Sequence, residues 1–135
     1  MTYKPIRYRL YPSEAQRDML MRHFGSTRWV YNRYISQAER LYFELGQYIK
    51  RDEFIVDLAR LKKTEFPWLA EVNSQSLQMA ARNAATAYER FFKGLAKHPR
   101  FKSKHSKQSF QCPQHVKVLF NESSSKYGRI VLPKI

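Results

Sequence analysis

"NSQSLQMAARNAATAYERFFK", Asn73 to Lys93, decides the fold class of this chain. Leu77, Ala81, Ala84, Tyr88, Phe91 and then Leu95 recur at steps of four, three, four, three and four, which is one face of a helix. Asn73 or Ser74 supplies the N-cap. The small residues Ala80, Ala81, Ala84 and Ala85 allow a neighbouring helix to approach closely. The helix extends to about residue 97, and it needs partners.

Upstream, the same periodicity predicts three more helices. Ser13 opens the first, and Gln16 completes a capping box. Its stripe is Ala15, Met19, Leu20 and Phe24, and Gly25 ends it. Ser26 or Thr27 caps a second helix from Arg28 to about Leu45, with Tyr31, Ile35, Ala38, Tyr42 and Leu45 on one face. A short third helix begins at Asp52 and aligns Phe54, Leu58 and Leu61. Pro67 breaks the pattern in "EFPWL", where Trp68 and Leu69 plug the core.

At both ends of the chain the period changes to two. Ile6-Arg7-Tyr8-Arg9-Leu10 alternates apolar and basic residues, as a half-buried strand does. Val116–Phe120 and Arg129–Leu132 read as two more strands, with "SSSKYG" as a hairpin loop. A lone strand and a lone hairpin are each marginal. The first strand is therefore expected to pair with the later ones, and the fold class is α+β: a four-helix lobe inserted into a small, incomplete barrel-like sheet.

The charge balance narrows the function. The 135 residues carry 25 Lys plus Arg against 11 Asp plus Glu, a net +14, and 43% are hydrophobic. That composition folds, and its self-repulsion is relieved by a polyanion. No apolar run approaches a membrane span, and "MTYKPIRYRL" lacks the apolar core of a signal peptide. Nucleic acid is the expected partner, no membrane is expected, and the expected location is the cytoplasm. Cys112 is the only cysteine. Its spacing to His115 offers too few thiolates for zinc, so both are read as strand or surface residues. The carboxylates fall on helix faces and first turns and form no convergent catalytic set. No catalytic residue and no cofactor are expected in this chain.

Three groups of residues are candidates for holding nucleic acid. From Arg90 through Phe120 there is no carboxylate, while Arg90, Lys93, Lys97, Arg100, Lys102, Lys104, Lys107 and Lys117 are cationic. Ser109 and Gln111 lie in the same run, and Phe101 anchors the chain where it leaves the helix. Arg28 and Asn32 lie in or near the first turn of the expected second helix, where an N-terminus with Ser26 and Thr27 suits a phosphate. A cap plus a surface arginine explains the same residues. Arg7 and Arg9 give the first strand a basic face, or simply protect its edge. On the long helix, Ser74, Gln75, Gln78 and Arg82 lie largely off the apolar stripe. Gln presents the donor–acceptor pair that fits adenine's major-groove edge, although polar residues on a solvated face need no ligand.

"YRLYP", "FGSTRWVYN", "WLAEVNSQSLQMAARNAATAYERFFK", "HPRFKSK" and "IVLPK" occur in an order and spacing that resemble the N-terminal portion of TnpB proteins. These are OrfB-type proteins of insertion sequences, commonly called transposases and related to type V CRISPR effectors. The resemblance implies an RNA-guided DNA endonuclease whose barrel is of the wedge type and whose inserted helices form a recognition lobe. Its partners would be a guide RNA from the transposon end and double-stranded target DNA. It also implies that the long helix faces the duplex beside the target, with Ser74 and Gln78 as readers. On this basis residues 1–12 are the first barrel strand, 13–97 the recognition lobe, and 98–135 the basic connector and further strands. The RuvC-like nuclease domain, with its divalent metal (Mg) and zinc, is expected only downstream. Nucleoid association follows from the same resemblance. The rival readings are a non-catalytic helix-turn-helix DNA-binding module built on the first two helices, and an RNA-binding or ribosome-associated protein.

Overall fold

A computed structural model of the chain describes residues 2–120 and 127–135. Helix α1 runs Glu14–Leu45, α2 Arg51–Lys63 and α3 Ser74–Phe92, with a 3-10 turn at Pro67–Glu71 before α3. Strands β1, Lys117–Phe120, and β2, Gly128–Val131, form an antiparallel pair in which Val118 faces Ile130. The architecture is mixed α+β, with three helices where four were expected.

The difference lies at Gly25. The capping box forms as expected, with the Ser13 N–H donating to Gln16 Oε1 at 2.8 Å and the Gln16 N–H to Ser13 Oγ at 3.3 Å. The helix then continues through Gly25 for 32 residues and stops only at Gly46, which is left-handed at φ 63°. Thr27 does not cap a new helix. Its hydroxyl donates back to the carbonyls of His23 and Phe24, at 2.8 and 3.1 Å. His23, Ser26, Thr27 and Val30 are all buried. An interior glycine costs a helix about 1 kcal/mol, and a buried packing face on both sides of it outweighs that.

The three helices run up, down and up. His23 lies beside Asn73 at the start of α3, and the Tyr88 hydroxyl reaches the Ile35 carbonyl near its end. α1 and α3 are therefore parallel. α2 returns between them in sequence, with Phe54 against Tyr34 and Phe66 against Trp29. Asp52 and Glu53 in its first turn and Arg60, Lys62 and Lys63 in its last complement the helix dipole. The core joins Val30, Ile35, Leu58, Leu61 and Leu77 with the small residues Ala81 and Ala84, where α3 approaches α1. Leu69 is wholly buried as expected, whereas Trp68 stays 38% exposed, edge-on to Trp29.

Two other expectations are corrected. α3 ends at Phe92, because Gly94 turns left-handed at φ 74°. The Leu95 and Gly94 N–H groups then bond the Arg90 and Phe91 carbonyls, a Schellman closure that leaves Leu95 exposed. The step of four to Leu95 is coincidental. The second correction concerns Ile6–Leu10, which has no strand partner among the described residues. Ile6 and Tyr8 are each 69% exposed. Alternation marks a strand only where a paired neighbour exists, and the two described strands pair with each other alone. Tyr11 lies edge-on to Tyr127, with ring centroids 6.4 Å apart. Most of "SSSKYG" lies outside the described residues. Among those described, no helix is long and apolar enough to cross a membrane.

Candidate nucleic-acid interface

After α3 the basic segment does not leave the bundle. It runs back along the seam between α1 and α3, held by a ladder of side chains. Asn32 uses both ends of its amide on one residue: Nδ2 donates to the Lys102 carbonyl and Oδ1 accepts from the Lys102 N–H, each at 2.8 Å. Further along, Arg28 donates to Gln108 Oε1 at 3.1 Å. Phe110 packs on His23 and Phe24, with ring centroids 5.0 and 5.3 Å away. On the α3 side, Asn83 donates to Gln111 at 2.8 Å and Gln75 to Gln114 at 2.9 Å. The buried Ser76 hydroxyl lies 3.6 Å from Cys112 Sγ. The connector thus descends antiparallel to both helices. This is an ordered ridge and not a solvated tail.

His23 fastens the two helices beneath it. It is completely buried. Nδ1 lies 2.8 Å from the Met19 carbonyl and Nε2 lies 3.1 Å from the Asn73 N–H. Because Nε2 accepts, the proton belongs on Nδ1, so the imidazole is neutral. Burial lowers its pKa first, and the nearby Lys134 ammonium lowers it further, against the raising effect of the Met19 carbonyl. Lys134 itself donates to the Ala70 carbonyl at 2.7 Å, tying the residues after β2 to the 3-10 turn.

Between α1, α3 and the connector lies a groove of about 260 Å³. Arg28, Lys102 and Lys107 line it, together with Ser109 and Gln111, and no carboxylate does. The Lys102 ammonium sits 4.2 Å above the Tyr31 ring. Five of the expected site residues are brought together here, and Asn32 holds the wall in place. Asn32 is a fastener, since its amide is spent on backbone.

The other candidates lie elsewhere. Arg28 is not at a helix N-terminus, because α1 is continuous, and Ser26 and Thr27 are buried; the dipole-held phosphate expected there is corrected on that ground. Ser74 and Arg82 are exposed on α3 and Gln78 is half-buried on the same face. Gln75 belongs instead to the connector ladder. Arg100 and Lys104 are exposed outside the groove. Arg7 and Arg9 lie on the N-terminal segment, with the Arg9 guanidinium 5.7 Å from the Tyr11 ring. Phe101 is not the anchor, being 58% exposed. His98 and Pro99 take that place: His98 packs against Tyr88 and Phe91, and Pro99 is buried. Sequence reasoning missed Tyr31, Asn83, Gln108 and Phe110. Phe110 alone carried a signal, as the one Phe, Tyr or Trp between Phe101 and Phe120. Among the described residues no group of three or more His, Cys, Asp or Glu side chains converges as metal ligands would.

A ridge of cations with no ion pair among the described residues, beside a polar groove, can hold phosphates, while the amides and rings beneath it can meet bases. Comparison with known proteins agrees in kind. Residues 1–47 match the helix-turn-helix domain profile of OrfB proteins of the IS605 type. A Streptomyces pristinaespiralis protein, provisionally named an RNA-guided DNA endonuclease, is 34% identical over 97% of this chain and 32% of its own length. Escherichia coli K12 InsQ, provisionally named in the same way, is 33% identical over 96% of the chain and 31% of its own length. A virulence protein of Salmonella dublin, VsdF, is 30% identical over 73% of the chain and 91% of its own length. The chain therefore spans about a third of the length of the first two relatives.

Proposed function

This chain belongs to the TnpB (OrfB-type) family, and from that premise we propose that it is the N-terminal nucleic-acid-binding region that holds guide RNA and target DNA for an RNA-guided endonuclease. The observation that carries the reading is the docked basic connector. Arg100, Lys104 and Lys107 are exposed and make no ion pair among the described residues, so their charge is available to phosphates. In this reading the connector positions the backbone, and Ser74 and Gln78 on the open face of α3 read the flanking duplex, with Arg82 beside them. Guide pairing reads the remainder of the target. Arg7 and Arg9 add phosphate contacts from the N-terminal segment.

The division into residues 1–12, 13–97 and 98–135 belongs to the same proposal, with 13–97 as a three-helix recognition lobe. A wedge-type barrel would bring Ile6–Leu10 beside the hairpin, and the Tyr11–Tyr127 contact supports that placement. The first two relatives are named endonucleases; we assign metal-dependent cutting, with its Mg and zinc, to segments outside this chain, and binding to these residues. A cytoplasmic, nucleoid-associated location follows from the partners.

The helix-turn-helix regulator is the second reading, favoured by the profile over residues 1–47. It requires a turn near Gly25, and α1 has none. A binding measurement separates the two. The chain should bind RNA from the transposon end more tightly than unrelated RNA of equal length. Sequence-specific duplex binding with no effect of RNA would favour the regulator and end the guide-holding reading.

A further inference from the structure

We propose that the groove between α1, α3 and the connector captures one unpaired nucleotide of a nucleic-acid strand. The inference deepens the reading above and rests on it only for the class of partner. Three features of the groove select the ligand. Its cations, Arg28, Lys102 and Lys107, face no lining carboxylate, so the ligand is an anion. Rings line it too: Tyr31, Phe24 and Phe110 offer apolar faces to a flat group. The side-chain amides of Asn83, Gln108 and Gln111 line it as well: one end of each is in the connector ladder, and the other ends offer an acceptor and donors to a base edge.

Size decides between a nucleotide and a duplex. At about 260 Å³ the groove lies just under the roughly 300 Å³ at which pockets for drug-sized ligands begin. That space matches one nucleotide with its sugar and phosphate, and two paired nucleotides need about twice as much. A base must therefore arrive unpaired, or be turned out of its stack at a cost of about a few kcal/mol, least where it is already mismatched or single-stranded. The Lys102 ammonium now covers the Tyr31 ring at 4.2 Å. An entering base takes that face, and the ammonium moves to the phosphate that arrives with it. Asn32 grips the Lys102 backbone and not its side chain, so the exchange leaves the connector docked.

The test titrates the full chain with two duplexes of one sequence at one salt concentration, one continuous and one carrying a single bulged 2-aminopurine. Stacking on one ring predicts about tenfold tighter binding of the bulged duplex, with the fluorophore quenched. Filling the groove by Ala80→Leu should reduce that preference to about twofold. Asn83→Leu, at an exposed position, gives the same readout should the buried change impair folding. Equal affinity for the two duplexes, or a preference that survives both substitutions, overturns the proposal while leaving the duplex and RNA readings intact. Failure to bind either duplex or RNA at low salt would remove the parent reading as well. A free nucleoside 5′-monophosphate that competes as well as the bulged strand would make this a free-nucleotide site, and that also overturns it.

Discussion

His23 shows how one buried side chain sets both geometry and pH response. Its Nε2 accepts the Asn73 N–H at the start of α3, and its folded pKa lies below the ordinary value of about 6.5. Above that value both folded and unfolded chains hold it neutral, so its contribution to stability is complete. As pH falls below about 6.5, the unfolded chain takes up a proton that the folded chain refuses, and stability declines by at most about 1.4 kcal/mol per pH unit. The wild-type chain should thus lose more melting temperature between pH 7.5 and 5.5 than His23→Gln does. The comparison is needed because both proteins keep the three other histidines. Equal losses in the two would mean that His23 is not the group responsible. Asn32 gives a second prediction at this scale. Its paired bonds to Lys102 are partly solvated, so Asn32→Ala should cost about 1–2 kcal/mol and speed exchange of the Lys102 amide. Unchanged exchange would show that the connector is held by other contacts.

At the level of elements, α1 carries the sharpest prediction, because its continuity contradicts the ordinary reading of "FGST". A Cβ at Gly25 would meet only Arg28 Nη2, at 3.8 Å, an ordinary contact. Gly25→Ala should therefore stabilise the chain by about 0.5–1 kcal/mol in denaturant unfolding. A destabilisation would point to a turn at that position and revive the two-helix arrangement. The same element explains what the sequence disclosed and what it hid. The stripes Phe54–Leu58–Leu61 and Leu77–Ala81–Ala84–Tyr88 announced two helices because apolar spacing is a local property. The capping box at Ser13 did likewise, and so did the hairpin, within a residue at each strand. Whether Gly25 stops a helix depends on the packing on both sides of it, and no local pattern carries that. Ile6–Leu10 failed for a related reason: its alternation is real, but it finds no strand partner among the described residues. The groove was half legible. The absence of carboxylates drew attention to Lys102 and Lys107, while Tyr31, Asn83 and Gln108 became part of it only when the connector folded back.

For the whole molecule the governing quantity is a net charge of +14 on 135 residues, with eight of the 25 cations from Arg90 through Phe120. The acidic residues are mostly spent on ion pairs, such as Asp18 and Glu71 with Arg22, Asp57 with Arg60, and Glu89 with Lys93. None lies between Arg90 and Phe120. The repulsion along that run is therefore not answered from within the segment, and phosphates would answer it by releasing their counterions. Replacing Lys102, Lys104 and Lys107 together by Gln should weaken binding to duplex DNA and flatten the plot of log affinity against log salt by about 2–3 units, roughly 0.9 for each lost phosphate contact. The fold should tolerate the change, since among the described residues none of the three ammonium groups is in a salt bridge and only Lys102 covers a ring. Melting temperature should consequently stay within a few degrees of the parent while the slope falls. A slope equal to the parent's, with the fold intact, would place the phosphates elsewhere on the molecule, with Arg7, Arg9 and Arg82 the next cations to test. Its intermediate value would count the contacts directly: a fall of about one unit assigns a single lysine to the backbone, and the single substitutions then identify which.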